Sequence, residues 1–120
     1  MAQRDTHSLV RFSVSREIRD KFCKTFLDLI VVLMLLRDGP MTGYKLLSHI
    51  YEAFGVLVAP SVLYPTLHLM EKRGLIKGDT MTNRSRVFSV TEKGKSWARE
   101  RMTALIRLLV DLERRVDSAP

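Results

Sequence analysis

Residues 61–76 decide the fold of this chain and read SVLYPTLHLMEKRGLI. Two leucines and Met70 recur in it at steps of four and three, which places their side chains on one face of a helix. We predict this helix over residues 62–73, with Ser61 as its N-cap. Pro65 then lies in the first turn, where its missing amide donor costs least.

A second short helix is predicted directly before it, over residues 43–54, with Thr42 as N-cap and Gly55 as terminator. After the helix pair the sequence alternates as two strands, residues 75–77 and 86–90, joined by a polar tip. This order is typical of a winged helix-turn-helix, in which the second short helix enters the major groove of DNA.

The N-terminal part predicts one helix over residues 15–36, which ends where Gly39 and Pro40 forbid its continuation. Residues 29–36 are apolar on nearly all sides, which suggests burial against both their own domain and something else. The run is far below the roughly 20 residues of a membrane span. We therefore expect no membrane partner.

The C-terminal part predicts a long helix from residue 95 to about residue 116, and its apolar residues form a heptad seam. Either the seam packs back on its own domain or it pairs with a second copy, and we favour a homodimer that also uses the apolar N-terminal helix. The predicted dimerisation residues are Leu29, Leu33, Leu36, Ala98, Met102, Leu105, Leu109, Leu112 and Val116.

The sequence therefore predicts a mainly α fold, a winged helix-turn-helix with a two-stranded wing and a long C-terminal dimerisation helix. Residues 1–14 are predicted as a mobile basic arm, residues 15–94 as the DNA-binding domain, and residues 95–120 as the dimerisation helix. The arm either contacts DNA or extends the dimer interface, and the sequence does not distinguish these two roles.

The charge of the chain favours a polyanionic partner such as nucleic acid. The net charge of the whole chain is +7. Residues 71–101 contain nine basic and four acidic residues, a net of +5, and residues 1–24 contain six and three, a net of +3. Because the excess is concentrated near the predicted helix end and wing, double-stranded DNA is the expected partner.

The predicted DNA-binding residues lie on the exposed face of the second short helix and at the wing tip. Hydroxyl and imidazole groups can reach base edges, whereas cations grip phosphates. Lys72 and Arg73 also suit a helix C-terminus for local reasons, and most hairpin tips are polar. The candidates are Ser61, Tyr64, Thr66, His68, Lys72, Arg73, Asn83, Arg84, Ser85 and Arg86.

The residues that could carry other chemistry are sparse. Cys23 is the single cysteine, which excludes an intrachain disulfide and a thiolate zinc cluster and suggests a reducing, cytoplasmic location. His7, His49 and His68 do not fall at ligand spacing, so we expect no metal. Since no Ser/His/Asp group or phosphate-binding loop is recognisable either, we expect neither an enzyme nor a cofactor.

Three stretches resemble the PadR family of transcriptional regulators. They are residues 27–44, LDLIVVLMLLRDGPMTGY, residues 61–76, and residues 85–94, SRVFSVTEKG. The specific part is Leu63, Tyr64, Pro65 and Leu67, followed by Glu71 and Gly74-Leu75-Ile76. The likeness covers roughly residues 25–98.

The resemblance implies a homodimer that binds an inverted-repeat operator, usually as a repressor and often released by a small effector. By position it places Tyr64 and Pro65 in the recognition helix and Arg86 in the wing. Trp97, the single tryptophan, is expected to fill the core or the dimer interface. The alternative is an effector contact, because some relatives bind flat aromatic compounds on this C-terminal helix.

This chain departs from the family pattern at three places. Ser61-Val62 replaces Gly-Thr, Leu69 replaces a common Arg, and Phe88 replaces Tyr. Leu69 removes a cation from near the predicted DNA face.

The predicted function is thus a dimeric, sequence-specific DNA-binding regulator. The alternative is a winged-helix module that binds protein partners without reading DNA.

Overall fold

The structure, a computed structural model, describes residues 13–120, so most of the predicted N-terminal arm lies outside the described residues. Within them the chain forms five helices and three short strands. In chain order these are α1 (Arg16–Thr25), α2 (Leu27–Asp38), β1 (Met41–Thr42), α3 (Gly43–Phe54), α4 (Pro60–Lys72), β2 (Ile76–Thr80), β3 (Arg86–Val90) and α5 (Glu92–Asp117).

The prediction of one N-terminal helix is wrong, because the chain turns at Phe26 and makes α1 and α2. Phe26 has φ −113° and ψ 35°, and its N–H still bonds to the carbonyl of Phe22. After the turn, the ring centroid of Phe22 lies 6.5 Å from the ring centroid of Phe54 at the end of α3. Helix α1 is amphipathic and buries one face, on which Cys23 lies, whereas the middle of α2 is apolar on nearly all sides and is buried more completely.

Helix α2 is the centre of the core, and this corrects one predicted dimerisation residue. Leu29 is only 1% exposed and is covered by its own chain. Leu33 is half-buried and Leu36 is 44% exposed, so these two remain accessible to a partner.

Helices α3 and α4 form the predicted helix-turn-helix, and the caps of α3 are as predicted. The Oγ1 of Thr42 accepts a hydrogen bond from the N–H of Lys45 at 3.2 Å, and Gly55 ends the helix at φ 68°. Helix α4 starts earlier than predicted, since Ala59 is the N-cap and Pro60 takes the first helical position. The fixed φ of proline is suited to that position.

The early start of α4 changes the roles of two residues. Ser61 lies inside the helix and is exposed, and it is not the cap. Pro65 lies in the second turn, not the first, so it removes one interior helical hydrogen bond. Thr66 donates its hydroxyl to the carbonyl of Val62 at 3.0 Å in the same turn.

The wing is part of a three-stranded antiparallel sheet in the order β1-β3-β2. Strand β2 runs to Thr80, three residues beyond its predicted end, so the wing is longer than the sequence indicated. Strand β1 pairs Met41 with Phe88 and was not predicted, because two residues show no alternation.

Helix α5 begins at Glu92, three residues before the predicted start. Its N-cap is Thr91, whose Oγ1 accepts from the N–H of Gly94 at 3.0 Å and donates to the carbonyl of Gly74 at 2.6 Å. This contact fixes the start of α5 to the end of the helix-turn-helix. None of the helices in residues 13–120 combines the length and the apolar character that crossing a bilayer requires.

The first half of α5 packs on its own domain and the second half does not. Ala98 is 2% exposed, which corrects its assignment to a dimer interface. Met102 and Leu105 are partly buried against the core. From Ile106 onward no residue of the described helix is buried.

Candidate nucleic-acid interface

A groove of about 680 Å³ lies between the N-terminus of α3, helix α4 and strand β3. Tyr64 lies across the start of α3, because Gly43 leaves room for its ring. A Cβ at Gly43 would lie 2.8 Å from a ring carbon of Tyr64. The groove is lined by Thr42, Gly43, Tyr44, Tyr64, Leu67, His68, Glu71, Arg84, Ser85, Arg86 and Phe88.

The outer face of α4 presents most of the predicted helix contacts to solvent. Leu63, Leu67 and Met70 form the buried inner face, as the spacing predicted. Thr66 is half-buried and its hydroxyl is already bonded within the helix. The exposed predicted residues of α4 and its C-cap are Ser61, Tyr64, Pro65, His68, Lys72 and Arg73.

Arg84 lies at the tip of the wing, in the turn between β2 and β3. Arg84 is exposed and has φ 67°, a left-handed conformation that turns the chain back into β3. The Oδ1 of Asn83 accepts from the N–H of Ser85 at 3.1 Å, so this amide shapes the tip. Within residues 13–120, no carboxylate lies at ion-pair distance from Arg84, which leaves its charge available to a phosphate.

Arg86 lies in the wing as predicted, but its guanidinium is already paired with the carboxylate of Glu71 on α4. Its Nη1 and Nη2 donate to the two carboxylate oxygens at 2.7 and 2.6 Å. The carbonyl of Gly78 on β2 accepts from Nη2 at 3.1 Å, and the N–H of Gly78 donates to Glu71 at 3.2 Å. A Cβ at Gly78 would collide with the guanidinium. We call this contact the Glu71–Arg86 pair.

The pair shifts the titration of both partners. The hydrogen bonds from Arg86 lower the pKa of the Glu71 carboxyl, and the N–H of Gly78 lowers it further, while partial burial opposes them. The hydrogen bond to Glu71 raises the pKa of Arg86. Both groups are therefore charged across the physiological range, and the pair ties β3 and β2 to helix α4.

Sequence reasoning missed two residues of this face, Tyr44 and Glu71. Tyr44 is 75% exposed, lines the groove, and lies in the first turn of α3. The cap at Thr42 was a usable signal for Tyr44, because it marks a helix start, where the N–H groups that the cap does not use suit phosphate. Glu71 had no local signal, since its partner is fifteen residues away.

Trp97, the predicted effector contact, lies half-buried in the first turns of α5. The guanidinium carbons of Arg73 and Arg101 lie 5.6 and 5.5 Å from the centroid of its indole ring, as cation–π contacts. The buried Nε1 of Trp97 has no hydrogen-bond acceptor in the described part of the chain. A cavity of about 400 Å³ opens beside the ring, between Arg73, Leu75 and Lys93.

The remaining candidate residues do not form a second site. The Nδ1 of His49 lies 2.9 Å from the Oδ2 of Asp38, which joins α3 to the end of α2. Cys23 is fully buried, and burial raises the pKa of its thiol to about 11. Residues 13–120 contain no group of three or more side chains placed to hold a metal ion.

The arrangement of α3, α4, the wing and α5 is that of a winged-helix protein. Residues 32–100 match the Transcriptional regulator PadR-like family, so the chain belongs to this family of transcriptional regulators. No curated protein matches the chain.

Solved structures show the same fold at low sequence identity. A protein of Thermoplasma acidophilum described as a transcriptional regulator is 20% identical, with a TM-score of 0.61, over 83% of this chain and 99% of that one. A PadR family transcription regulator from Clostridium difficile R20291 is 18% identical, with a TM-score of 0.65, over 76% and 98%. F93 from STIV, a winged-helix DNA-binding protein, is 22% identical, with a TM-score of 0.60, over 64% and 84%.

Proposed function

We propose that this chain is a sequence-specific DNA-binding repressor that acts by occluding an inverted-repeat operator. The observation that carries the proposal is the joint exposure, on one side of the molecule, of the outer face of α4 and of Arg84 on the wing. Helix α4 reads base edges in the major groove, and Arg84 contacts the adjacent backbone. The chain acts by binding and not by catalysis.

The start of α3 adds a phosphate contact to this proposal. The first turn of α3 borders the groove, and its capped N-terminus carries the partial positive charge of the helix dipole. Tyr44 and Lys45 are exposed in that turn. Phosphates on the two sides of the major groove would thus be held by α3 and by the wing.

We propose that the protein binds DNA as a homodimer joined through the second half of α5. Six apolar side chains there are between 42% and 74% exposed, and a stable monomer has no reason to expose them together. We add Leu33 and Leu36 of α2 to the proposed interface, because their own chain leaves them accessible. The exposed apolar residues of α5 are Ile106, Leu108, Leu109, Val110, Leu112 and Val116.

The dimer suits the operator geometry. Two recognition helices about 34 Å apart meet successive major grooves on one side of a duplex. Residues 15–94 together with the first half of α5 are then the DNA-binding unit, and the second half of α5 from Ile106 onward joins the two copies.

A binding assay with salt variation tests the DNA proposal against the alternative of a protein-interaction module. The logarithm of a specific DNA affinity falls steeply with the logarithm of salt concentration, and the binding survives excess competitor duplex. A protein-interaction module would show only weak, sequence-independent retention. Footprinting of the region upstream of its own gene would identify the operator.

Replacing Arg84 by Ala is expected to reduce the salt slope by about one, because one phosphate contact is lost. The affinity for the operator and for unrelated duplexes should fall by similar factors. Arg107→Ala is the control, since it removes the same charge from an exposed position of α5 outside the heptad seam. An Arg84→Ala protein with the wild-type slope would refute the wing contact.

We further propose that a flat aromatic compound releases the repressor by binding beside Trp97, where it displaces Arg73 or Arg101 from the ring. Trp97 is the single tryptophan, so its fluorescence reports on this place alone. We expect a saturable fluorescence change with at least one member of a panel of planar aromatic compounds. Arg101→Ala should strengthen that response, and Arg99→Ala should not. No fluorescence change with any compound of the panel would contradict the effector proposal.

A further inference from the structure

Helix α4 carries a stripe of exposed apolar side chains on its outer face. Val62, Pro65 and Leu69 follow one another at steps of three and four, so they share one side of the helix. Val62 is 51% and Leu69 is 57% exposed, and Pro65 is exposed as well. The stripe is separate from the buried face that holds α4 in the core.

No part of the described chain covers this stripe. The residues beside it indicate which kind of partner binds there. Lys72 follows Leu69 by one turn, and Ser61 and His68 flank the stripe with polar groups that can reach base edges. None of these neighbours is acidic, and the carboxylate of Glu71 on the same helix is paired with Arg86. An apolar strip between cationic and hydrogen-bonding groups is complementary to a major groove, whose phosphate walls are anionic.

The major groove offers one apolar group to such a strip, the C5-methyl of thymine. Pro65 in the second turn is suited to this contact, because its exposed ring is a hydrocarbon surface. We propose that Val62, Pro65 and Leu69 read thymine methyl groups, so that the operator half-site contains thymines at fixed positions. The inference rests on the proposed DNA function.

The test starts from duplexes selected by the wild-type protein from a random pool. Each thymine of a selected duplex is then replaced by deoxyuridine, which removes the methyl and keeps all Watson–Crick pairing. We expect one or two positions in each half-site to lose about threefold to fourfold in affinity per methyl. Unchanged affinity at every position would overturn the inference and leave the proposed function intact. A pool from which no sequence is enriched would overturn both.

Leu69→Ala assigns the contact to a side chain. At the position read by Leu69, the variant should bind the thymine and deoxyuridine duplexes equally, while the positions read by its neighbours stay sensitive. Leu57→Ala is the matched control, since Leu57 is 83% exposed in the turn before α4 and outside the stripe; it should keep every sensitivity. Because Leu69 is exposed, folding is expected to be unaffected, and thermal melting checks this. Full deoxyuridine sensitivity in Leu69→Ala, or a changed oligomeric state of this variant, would overturn the assignment.

Discussion

Replacing Leu109 and Leu112 together by Asp is expected to convert the proposed dimer into a monomer and to weaken operator binding by about 10²-fold or more. Leu109 is 62% exposed in the single chain, so the aspartates disturb no contact within it. In a dimer the same positions would face the apolar seam of the second copy, where a charge without a partner is costly. Sedimentation and a titration with an operator of two half-sites measure the two effects.

Thr103→Asp with Ala104→Asp provides the control for this experiment. Both residues are exposed, and their spacing places them on the side of α5 opposite the heptad seam. The same two charges there should leave the dimer and the affinity unchanged. A Leu109→Asp/Leu112→Asp protein that still sediments as a dimer would show that α5 does not join the copies.

Replacing Arg86 by Ala is expected to weaken operator binding by about fivefold to tenfold without changing the salt slope. The guanidinium is paired with Glu71 at 2.7 and 2.6 Å, so its loss removes no phosphate contact. It does remove the bond that holds the wing against α4, and Arg84 is then presented from a looser hairpin. Hydrogen exchange at the amides of β2 and β3 should become faster in the variant.

Glu71→Gln and Arg84→Ala complete this comparison. Glu71→Gln should also speed exchange in the wing, because it weakens the same pair, whereas Arg84→Ala should flatten the salt slope and leave exchange unchanged. A flattened slope in Arg86→Ala would mean that Arg86 leaves Glu71 to contact phosphate, contrary to our interpretation.

The Glu71–Arg86 pair also gives the wing a predicted acid sensitivity. The pKa of Glu71 is lowered in the folded protein from its ordinary value of 4.5. Its contribution is therefore complete above that ordinary value and is lost as the pH falls through the lower folded pKa. The protection factors of the wing amides, which correct exchange for its intrinsic pH dependence, should fall in the wild type across this acid range, and Glu71→Gln should remove the fall.

Helix α4 shows how much of the candidate site could be predicted from the sequence. The buried residues of α4 followed from their spacing, and the exposure of Ser61, Tyr64, His68 and Lys72 followed as its complement. The start of the helix did not, because Pro60 at the first helical position outweighed the capping preference of Ser61.

The sequence by itself determined the order of the helix pair, the wing and the C-terminal helix, and the inner face of α4, because periodicity, caps and terminators act over a few residues. Only the tertiary structure decided what happens between distant residues. It turned the N-terminal helix at Phe26, buried Leu29 and Ala98 in their own domain, and joined Arg86 to Glu71. These contacts join residues that are distant in the sequence and form only when the elements pack together, so no pattern over a few residues predicts them.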